Sequence, residues 1–222
     1  MRLAFPFLPE PLHFVENRVN VLFIEEPCTL RRTLRELSEQ VEGLAGDIIF
    51  SVKDVPQDLS RFAAMLIDPL HPMTESKKLA GLILKAVLAA SQEHEAQMYS
   101  VLASANELAA RLSMELSFPA AFDPLEDPAG LLRLFDFRLD AEGMDVPELL
   151  LEWMLMQRCF LGKQLFILYG LKSCLSRDEL AAFYRSVWDE KLNLLLIEPF
   201  QRGLPMEGEC VTIVDESLCV IA

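Results

Sequence analysis

The fold of this chain is decided by one stretch, Leu192-Asn193-Leu194-Leu195-Leu196-Ile197-Glu198. A short apolar run of this kind, without alternation, is typical of a strand that is buried on both faces of a sheet. Similar short runs lie elsewhere in the chain and are separated by helical patterns: Val21–Ile24, Asp47–Val52, Ala63–Ile67 and Leu165–Tyr169. We therefore predict an α/β fold with a mostly parallel sheet, in which Leu192–Ile197 is the central strand.

Helical patterns on both sides of this strand complete the predicted sheet domain. The apolar spacing predicts helices over Arg31–Leu44 and over Pro147–Leu161, where the proline suits a first helical turn. Ser176 followed by Glu179 is a capping-box signature, which predicts that another helix begins there. The last apolar runs, Val211–Val214 and Leu218–Ile221, predict either a closing hairpin or two edge strands.

The middle of the chain changes to a purely helical pattern. Lys77–Ala90 and Met98–Leu116 keep helical spacing on either side of a polar segment, which predicts an antiparallel helical hairpin or one bent helix. A proline-containing segment, Phe118–Pro128, then predicts a hinge, and a short helix over Ala129–Phe135 follows. We predict that residues 1–73 and 140–222 form an α/β head domain. Residues 74–139 form a helical leg inserted into it, with an acidic hinge.

Composition limits the classes of function. The 222 residues carry 34 acidic and 20 basic side chains, a net charge of −14, so a uniformly charged surface would repel nucleic acid. DNA binding would require the basic residues to be segregated on one surface. The five cysteines lack metal or redox spacing and indicate reduced thiols in a cytoplasmic protein. No signal peptide or membrane span is predicted, since the longest apolar stretch is too short.

The predicted strand–turn–helix at Val21–Leu37 stands where a phosphate-binding loop would stand. That loop needs glycines, so that backbone N–H groups can approach phosphate, but the turn here is Glu25-Glu26-Pro27-Cys28. Two carboxylates repel a triphosphate and Pro27 removes one N–H donor, so we predict no nucleotide site. Asp68 and Glu198 end predicted strands, either as metal-holding acids of an NTPase-like site or as ordinary strand ends.

No constellation of catalytic side chains emerges from the remaining residues. The three histidines are far apart in sequence, and no serine or cysteine lies in a nucleophile elbow, so we predict that the protein is not an enzyme. Asp123, Glu126 and Asp127 cluster in the predicted hinge and could supply oxygen ligands to Ca²⁺. Their spacing is not that of an EF-hand, and a solvated acidic loop is the alternative.

Four stretches, taken in order, resemble the small accessory protein family of type II-A CRISPR systems. They are Met1-Arg2-Leu3-Ala4-Phe5-Pro6 with the strand Val21–Glu25, Lys163–Ser176, Lys191–Glu198 and Val214–Ile221. The resemblance implies a head whose sheet is related to P-loop NTPases but lacks the nucleotide site, and a helical leg inserted into that head. It also implies a homotetrameric ring that encircles the ends of double-stranded DNA without reading sequence. Such a ring can be acidic outside and basic inside.

The resemblance further implies a role and a set of partners. The family acts in the acquisition of new spacers, alongside the CRISPR integrase complex and the effector nuclease, and binds Ca²⁺ near the hinge. Asp123, Glu126 and Asp127 match the position of that calcium site, although this hinge has fewer carboxylates than is usual. We assign DNA contacts from position to Arg18, Lys53, Lys163 and Lys172. Two alternatives stay open: a protein–protein adaptor that does not touch DNA, and a degenerate NTPase or phosphohydrolase.

Overall fold

A computed structural model describes residues 1–72 and 77–221. The chain divides into two compact units, Met1–Pro72 with Glu142–Ala222 and Met73–Ala141, which we call the head and the leg. The predicted start of the helical segment, Thr74, lies outside the described residues. Among the described helices, none combines the length and the apolar character that a membrane crossing requires.

The described part of the chain forms strands and α-helices with the following bounds. The strands are β1 (Arg2–Ala4), β2 (Leu12–His13), β3 (Val19–Ile24), β4 (Ile49–Val52), β5 (Val55–Gln57), β6 (Ala63–Leu66), β7 (Leu165–Tyr169), β8 (Asn193–Glu198), β9 (Glu209–Val214) and β10 (Val220–Ile221). The helices are α1 (Pro27–Val41), α2 (Leu59–Phe62), α3 (Lys77–Ser91), α4 (Glu95–Glu115), α5 (Pro128–Arg133), α6 (Val146–Leu161) and α7 (Arg177–Asp189).

The larger sheet of the head has the strand order β10-β9-β3-β8-β7-β6. Strands β9, β3, β8, β7 and β6 run parallel, and β10 pairs antiparallel with β9. The predicted central strand is confirmed, since β8 lies between β3 and β7 and its residues Leu194–Glu198 are buried. The two C-terminal runs do form an antiparallel pair, but only β10 is at the edge.

A second, smaller sheet is antiparallel throughout, with the order β2-β1-β4-β5. The prediction that Asp47–Val52 belongs to the parallel series is therefore wrong. The reason is the turn after β4, where Lys53 and Asp54 have φ angles of 51° and 63°. Two successive residues with positive φ make the hairpin turn that returns the chain antiparallel to the preceding strand. The head is thus an α/β fold with mixed sheets.

Both faces of the larger sheet are covered, as the continuous apolar strands predict. One face packs against α6 and α7, where the buried residues include Trp153, Met154 and Tyr184. The other face packs against α1 and the smaller sheet, where Leu37 and Phe50 are buried. The apolar residues of β3 alternate between these two cores, which explains why both faces of the strand are buried.

Local capping determines where the helices of the head begin. The predicted capping box of α7 is confirmed: the Glu179 backbone N–H donates to Ser176 Oγ, and the Ser176 N–H donates to Glu179 Oε2. A second box, formed by Asp145 and Glu148, starts α6 one residue before the predicted Pro147. Helix α6 ends at Gly162 in the left-handed conformation, with φ of 67°, as a C-terminal glycine allows.

In the leg, α3 and α4 are joined by a 3₁₀ turn, Gln92–His94. Helix α5 packs against both of them. The segment between α4 and α5 is irregular, as its prolines predict. It is held to α4 by two hydrogen bonds of the Asn106 side chain. The Asn106 side chain donates to the Leu125 carbonyl at 2.9 Å and accepts from the Leu125 N–H at 2.9 Å.

Candidate functional site at the carboxyl edge of the head sheet

The parallel strands of the head bring their carboxyl ends to one edge of the sheet. In open α/β sheets, ligands bind at this edge, because the loops that leave the strands converge there. Glu26 follows β3, Lys172 follows β7, Asp68 follows β6 and Glu198 is the last residue of β8. The register pairs Phe23 of β3 with Glu198 of β8, so the two central strands end side by side. This edge is the candidate functional site.

The turn after β3 is closed by its own carboxylate. Glu26 caps α1 and accepts hydrogen bonds from the backbone N–H groups of Cys28 at 2.9 Å and Thr29 at 2.6 Å. These bonds lower the pKa of Glu26 to about 2. Pro27 is accepted in the first turn of α1, because an N–H group at that position has no partner within the helix. Helix α1 therefore begins at Pro27, four residues before the predicted Arg31. The helix N-terminus, where a phosphate could bind, thus holds a side-chain anion.

At the end of β8, the carboxyl group of Glu198 has a raised pKa, in contrast to the lowered pKa of Glu26. Glu198 is 1% exposed, and its Oε1 accepts a hydrogen bond of 2.8 Å from the Lys172 backbone N–H. Burial raises the pKa of Glu198 to about 7, against the opposing effects of that hydrogen bond and of the Lys172 and Arg202 charges. Its protonation state therefore changes near neutral pH.

A buried polar cluster lies beside Glu198, on the face of the sheet that α7 covers. Lys172 Nζ bonds Glu209 Oε1, and the two side chains are 10% and 0% exposed. Tyr184 of α7 donates its hydroxyl to the same oxygen at 2.8 Å, and the Met206 N–H donates to Glu209 Oε2 at 2.9 Å. Burial, with the Glu209 charge, raises the pKa of Tyr184, so this phenol remains a neutral donor. We call the side chains of Lys172, Glu209 and Tyr184 the Glu209 cluster.

The Glu209 cluster joins the start of β9, helix α7 and the 3₁₀ turn Leu171–Ser173 that follows β7. The Lys172 ammonium also lies 5.6 Å from the centre of the Phe23 ring, at cation–π distance. Lys172, which we assigned to DNA contact, thus lies inside the head with its charge matched by Glu209. This geometry holds elements together and presents little of the ammonium to the surface.

The outer strand β6 ends near two further polar groups. Asp68 is exposed and accepts from His71 Nδ1 at 2.9 Å and from the Leu70 N–H at 3.1 Å. The His71 hydrogen bond is the main cause that lowers the pKa of Asp68. Burial raises the pKa of the Cys174 thiol, and the charges of Glu198 and Asp68 add to this effect. Cys174 is thereby held as a thiol, which is the less nucleophilic form.

The other basic residues assigned to DNA contact lie at three places in the head. Arg18 is exposed immediately before β3, and Lys53 is exposed in the turn between β4 and β5. Lys163 is half-buried, and its ammonium donates to the Ser60 carbonyl. Of the four assigned residues, Arg18 and Lys53 have the exposure that phosphate contact requires.

The three carboxylates assigned to calcium are exposed and lie in the leg. Asp127 caps α5, and its Oδ1 accepts from the Ala129 N–H at 3.1 Å. Within residues 1–72 and 77–221, no group of three or more His, Cys, Asp or Glu side chains is arranged to hold a metal ion. Asp123, Glu126 and Asp127 therefore do not converge as a group of three carboxylates in this structure.

Sequence reasoning missed two members of the Glu209 cluster, Glu209 and Tyr184. The sequence does indicate that Glu209 is buried. It lies on the same face of β9 as Val211 and Ile213, which pack against the core. An acid at an inward position of a strand needs a buried partner. Tyr184 has no comparable signal, since a tyrosine on the apolar face of a helix reads as an ordinary core residue.

Comparisons with known proteins give structural neighbours only. No protein-family model matches the chain, and no curated protein matches it. A putative ABC transporter ATP-binding protein from Pyrococcus furiosus is 9% identical with a TM-score of 0.39, over 95% of this chain and 93% of its own. The ADP conformation of MJ1267, an ATP-binding cassette of an ABC transporter, is 7% identical with a TM-score of 0.41, over 87% and 74%. Since these TM-scores lie below 0.5, the chemistry of the site rests on its own residues.

Proposed function

We propose that this chain binds the ends of double-stranded DNA without reading sequence, as a homotetrameric ring, and that it catalyses no reaction. It acts in the cytoplasm, in the acquisition of new spacers by type II-A CRISPR immunity, with the integrase complex and the effector nuclease as partners. The observation that carries this proposal is the ordered set of stretches, from Met1–Pro6 to Val214–Ile221, that resembles the accessory family of these systems.

The turn after β3 supports a head of the P-loop type that has no nucleotide site. A bound triphosphate would need the N–H groups of Cys28 and Thr29, which already donate to Glu26. Glu25, the preceding residue, adds a second carboxylate to the same turn. Displacing Glu26 would leave an additional negative charge next to the phosphate, which makes nucleotide binding unfavourable.

The head has exposed basic residues available for contact with phosphate in spite of the net charge of −14. Arg18 and Lys53 are exposed, and so are Arg31 and Arg32 on α1. Contacts to phosphate need charge and reach rather than a fixed motif. We assign the strongest DNA contacts to Arg18 and Lys53, and a supporting structural role to Lys163 and Lys172.

The proposal that this chain binds calcium rests on the family resemblance alone. Asp123, Glu126 and Asp127 are the residues that would bind it, because their oxygens are exposed and close in sequence. Since the three carboxylates do not converge in this structure, we expect calcium binding to require their rearrangement, and the assembly of the ring to respond to added calcium.

One observation favours a second candidate, a degenerate NTPase or phosphohydrolase. Glu198 ends the central strand and has a pKa of about 7, which suits a general acid or base at neutral pH. This reading predicts turnover of a nucleotide that Glu198→Ala abolishes. The adaptor reading, in contrast, predicts no DNA binding at any salt concentration.

The test is the affinity for a labelled linear duplex, measured by fluorescence anisotropy over a range of salt concentrations. We expect affinity to fall steeply with salt. Each of Arg18→Ser and Lys53→Asn should reduce the logarithmic slope by about 0.9 for every subunit of the ring whose residue contacts a phosphate. Asn tolerates the positive φ of position 53. The control variant is Arg185→Ser, which removes an exposed charge that we assign to no DNA contact.

Two results would overturn the proposal. Linear duplex and covalently closed duplex competing equally well would exclude binding by encirclement of DNA ends. ATP turnover that disappears in Glu198→Ala would establish the phosphohydrolase instead.

A further inference from the structure

A cavity of about 360 Å³ lies in the head, away from the carboxyl edge of the larger sheet. It is lined by the loop that follows α1, by β4 and β5, and by the start of α2. Its volume is in the range of small-ligand sites in proteins. Apolar side chains form much of its wall, including Leu44, Ile49, Pro56 and Leu59. Leu44 and Ile49, which both line the cavity, are 60% and 56% exposed, so the cavity presents apolar surface to solvent.

The buried amide of Gln40 closes one part of the cavity wall. Gln40 lines the cavity and is 7% exposed; its Nε2 donates to the Ile48 carbonyl at 3.1 Å. Its Oε1 is buried and has no hydrogen-bond partner among the described residues. This oxygen has almost no accessible surface, so the amide is a closed part of the wall and a ligand in the cavity cannot reach it. Gly46 lies against this amide, because a Cβ there would stand 2.4 Å from Gln40 Nε2.

The electrostatics of the cavity favour a positive charge. Asp58 lines it, and its hydrogen bonds with Ser60 lower its pKa, so it is ionised. Helix α1 ends beside the cavity with no basic residue in its last turn, so the negative end of its dipole has no positively charged side chain there. Among the described residues that line the cavity, none is basic. Arg61 and Lys163 are near enough to lower the pKa of Asp58 further, but they are not part of the wall.

We propose that this cavity binds a primary ammonium or guanidinium group on a short apolar stem. The stem packs against Leu44, Ile49 and Pro56, and the cationic head donates to the exposed carboxylate of Asp58. Both a free small amine and a Lys or Arg side chain of a partner polypeptide have this chemistry. The inference rests on the cavity alone and is independent of DNA binding.

The probes are n-butylammonium, n-butanol and a lysine blocked at both ends, titrated into the full chain. Binding is followed by the NMR shifts of the backbone amides of Gly43 and Gly46, which line the cavity. We expect butylammonium to bind in the millimolar range, consistent with so small a ligand, and about tenfold more tightly than butanol. Blocked lysine binding at least as tightly as butylammonium identifies a polypeptide side chain as the ligand. Weaker binding of blocked lysine identifies a free amine.

Two variants test the assignment of residues. Leu44→Arg places a tethered guanidinium at the cavity and should abolish butylammonium binding, while the exposure of Leu44 leaves the fold intact. Asp58→Asn keeps an N-cap for α2 and should weaken binding about two- to fivefold, as the loss of an exposed ion pair does. Leu204→Arg and Asp189→Asn are the matched controls and should have no effect. Equal binding of butylammonium and butanol, or binding unchanged in Leu44→Arg, would overturn the proposal.

Discussion

Glu26 and Glu198 are the same residue type at the same edge of the sheet, yet they are held in opposite ways. Glu26 is partly open to solvent and accepts two N–H groups at the start of α1, and its pKa falls to about 2. Glu198 is 1% exposed with one backbone donor, and its pKa rises to about 7. Hydrogen bonds to the charged form prevail at the first site, and loss of solvent prevails at the second.

This edge of the sheet therefore holds charged side chains of its own. Glu26 supplies the anion at the helix N-terminus, and the Glu209 cluster stabilises a buried lysine beside Glu198. Neither arrangement can be predicted from the sequence, which shows only that an acidic residue lies at the end of a strand. Each can be perturbed separately, and the expected effects differ in size.

The largest effect is expected from the Glu209 cluster. Lys172→Met removes the ammonium and leaves the Glu209 carboxylate buried beside Glu198. Removing one partner of a buried ion pair costs about 3 kcal/mol or more of unfolding free energy. Urea unfolding at neutral pH measures this loss.

The control for that experiment is the double variant Lys172→Met with Glu209→Gln. The neutral amide still accepts from Tyr184, so we expect much of the lost stability to return. A single variant as stable as the parent would contradict the buried pairing of Lys172 with Glu209.

An intermediate effect is expected from the titration of Glu198. Its pKa is about 7 when folded against an ordinary value of 4.5, so the folded state binds more protons between these pH values. This contribution to stability is fully present below pH 4.5 and is lost as pH rises through 7, about 2 to 3 kcal/mol between pH 5 and pH 8.

Glu198→Gln should flatten the fall in stability between pH 5 and pH 8, since the amide accepts from Lys172 without becoming charged. The exposed Glu207→Gln serves as the control and should leave the fall unchanged. A difference in stability between the parent and Glu198→Gln that stays constant from pH 5 to pH 8 would contradict the raised pKa of Glu198.

The smallest effect on stability is expected from Glu26. Its pKa is lowered to about 2, so its contribution is present above pH 4.5 and is lost as pH falls through 2. Glu26→Ala removes the cap of α1, and we expect a smaller shift of the urea midpoint at pH 7 than in Lys172→Met.

Glu26→Ala also frees the N–H groups of Cys28 and Thr29, so we expect weak binding of inorganic phosphate that the parent lacks, measured by ³¹P NMR line broadening. Glu26→Gln, which keeps an acceptor, is the matched control. Phosphate binding of equal strength in the parent and in Glu26→Ala would show that the carboxylate does not occupy the anion position.

The regular elements of the head were predictable because their signals are local. Strand β7 has the bounds that its apolar run predicts, and α7 begins at the capping box of Ser176 and Glu179. Strand β4 was assigned to the wrong sheet, because an apolar run does not specify its partner. Its hairpin turn uses Lys53 and Asp54 at positive φ, without the glycine that usually marks such a turn.

The site was predictable only in part. The carboxylates after β3 predicted an unfavourable phosphate site, but the reach of Glu26 back to the N–H groups of Cys28 and Thr29 depends on the turn geometry. The pairing of Lys172 with Glu209 spans 37 positions in sequence and depends on how β9 and α7 pack. Position in the chain could not distinguish this buried lysine from the exposed Lys53.

The most direct test of the proposed function is the mass of the protein by light scattering, in calcium and in chelator, with and without a short linear duplex. The account predicts a mass of four chains that retains the linear duplex in calcium and does not retain a closed circle of the same sequence. A mass of one or two chains that retains no duplex in calcium would contradict it, and the adaptor would become the better explanation.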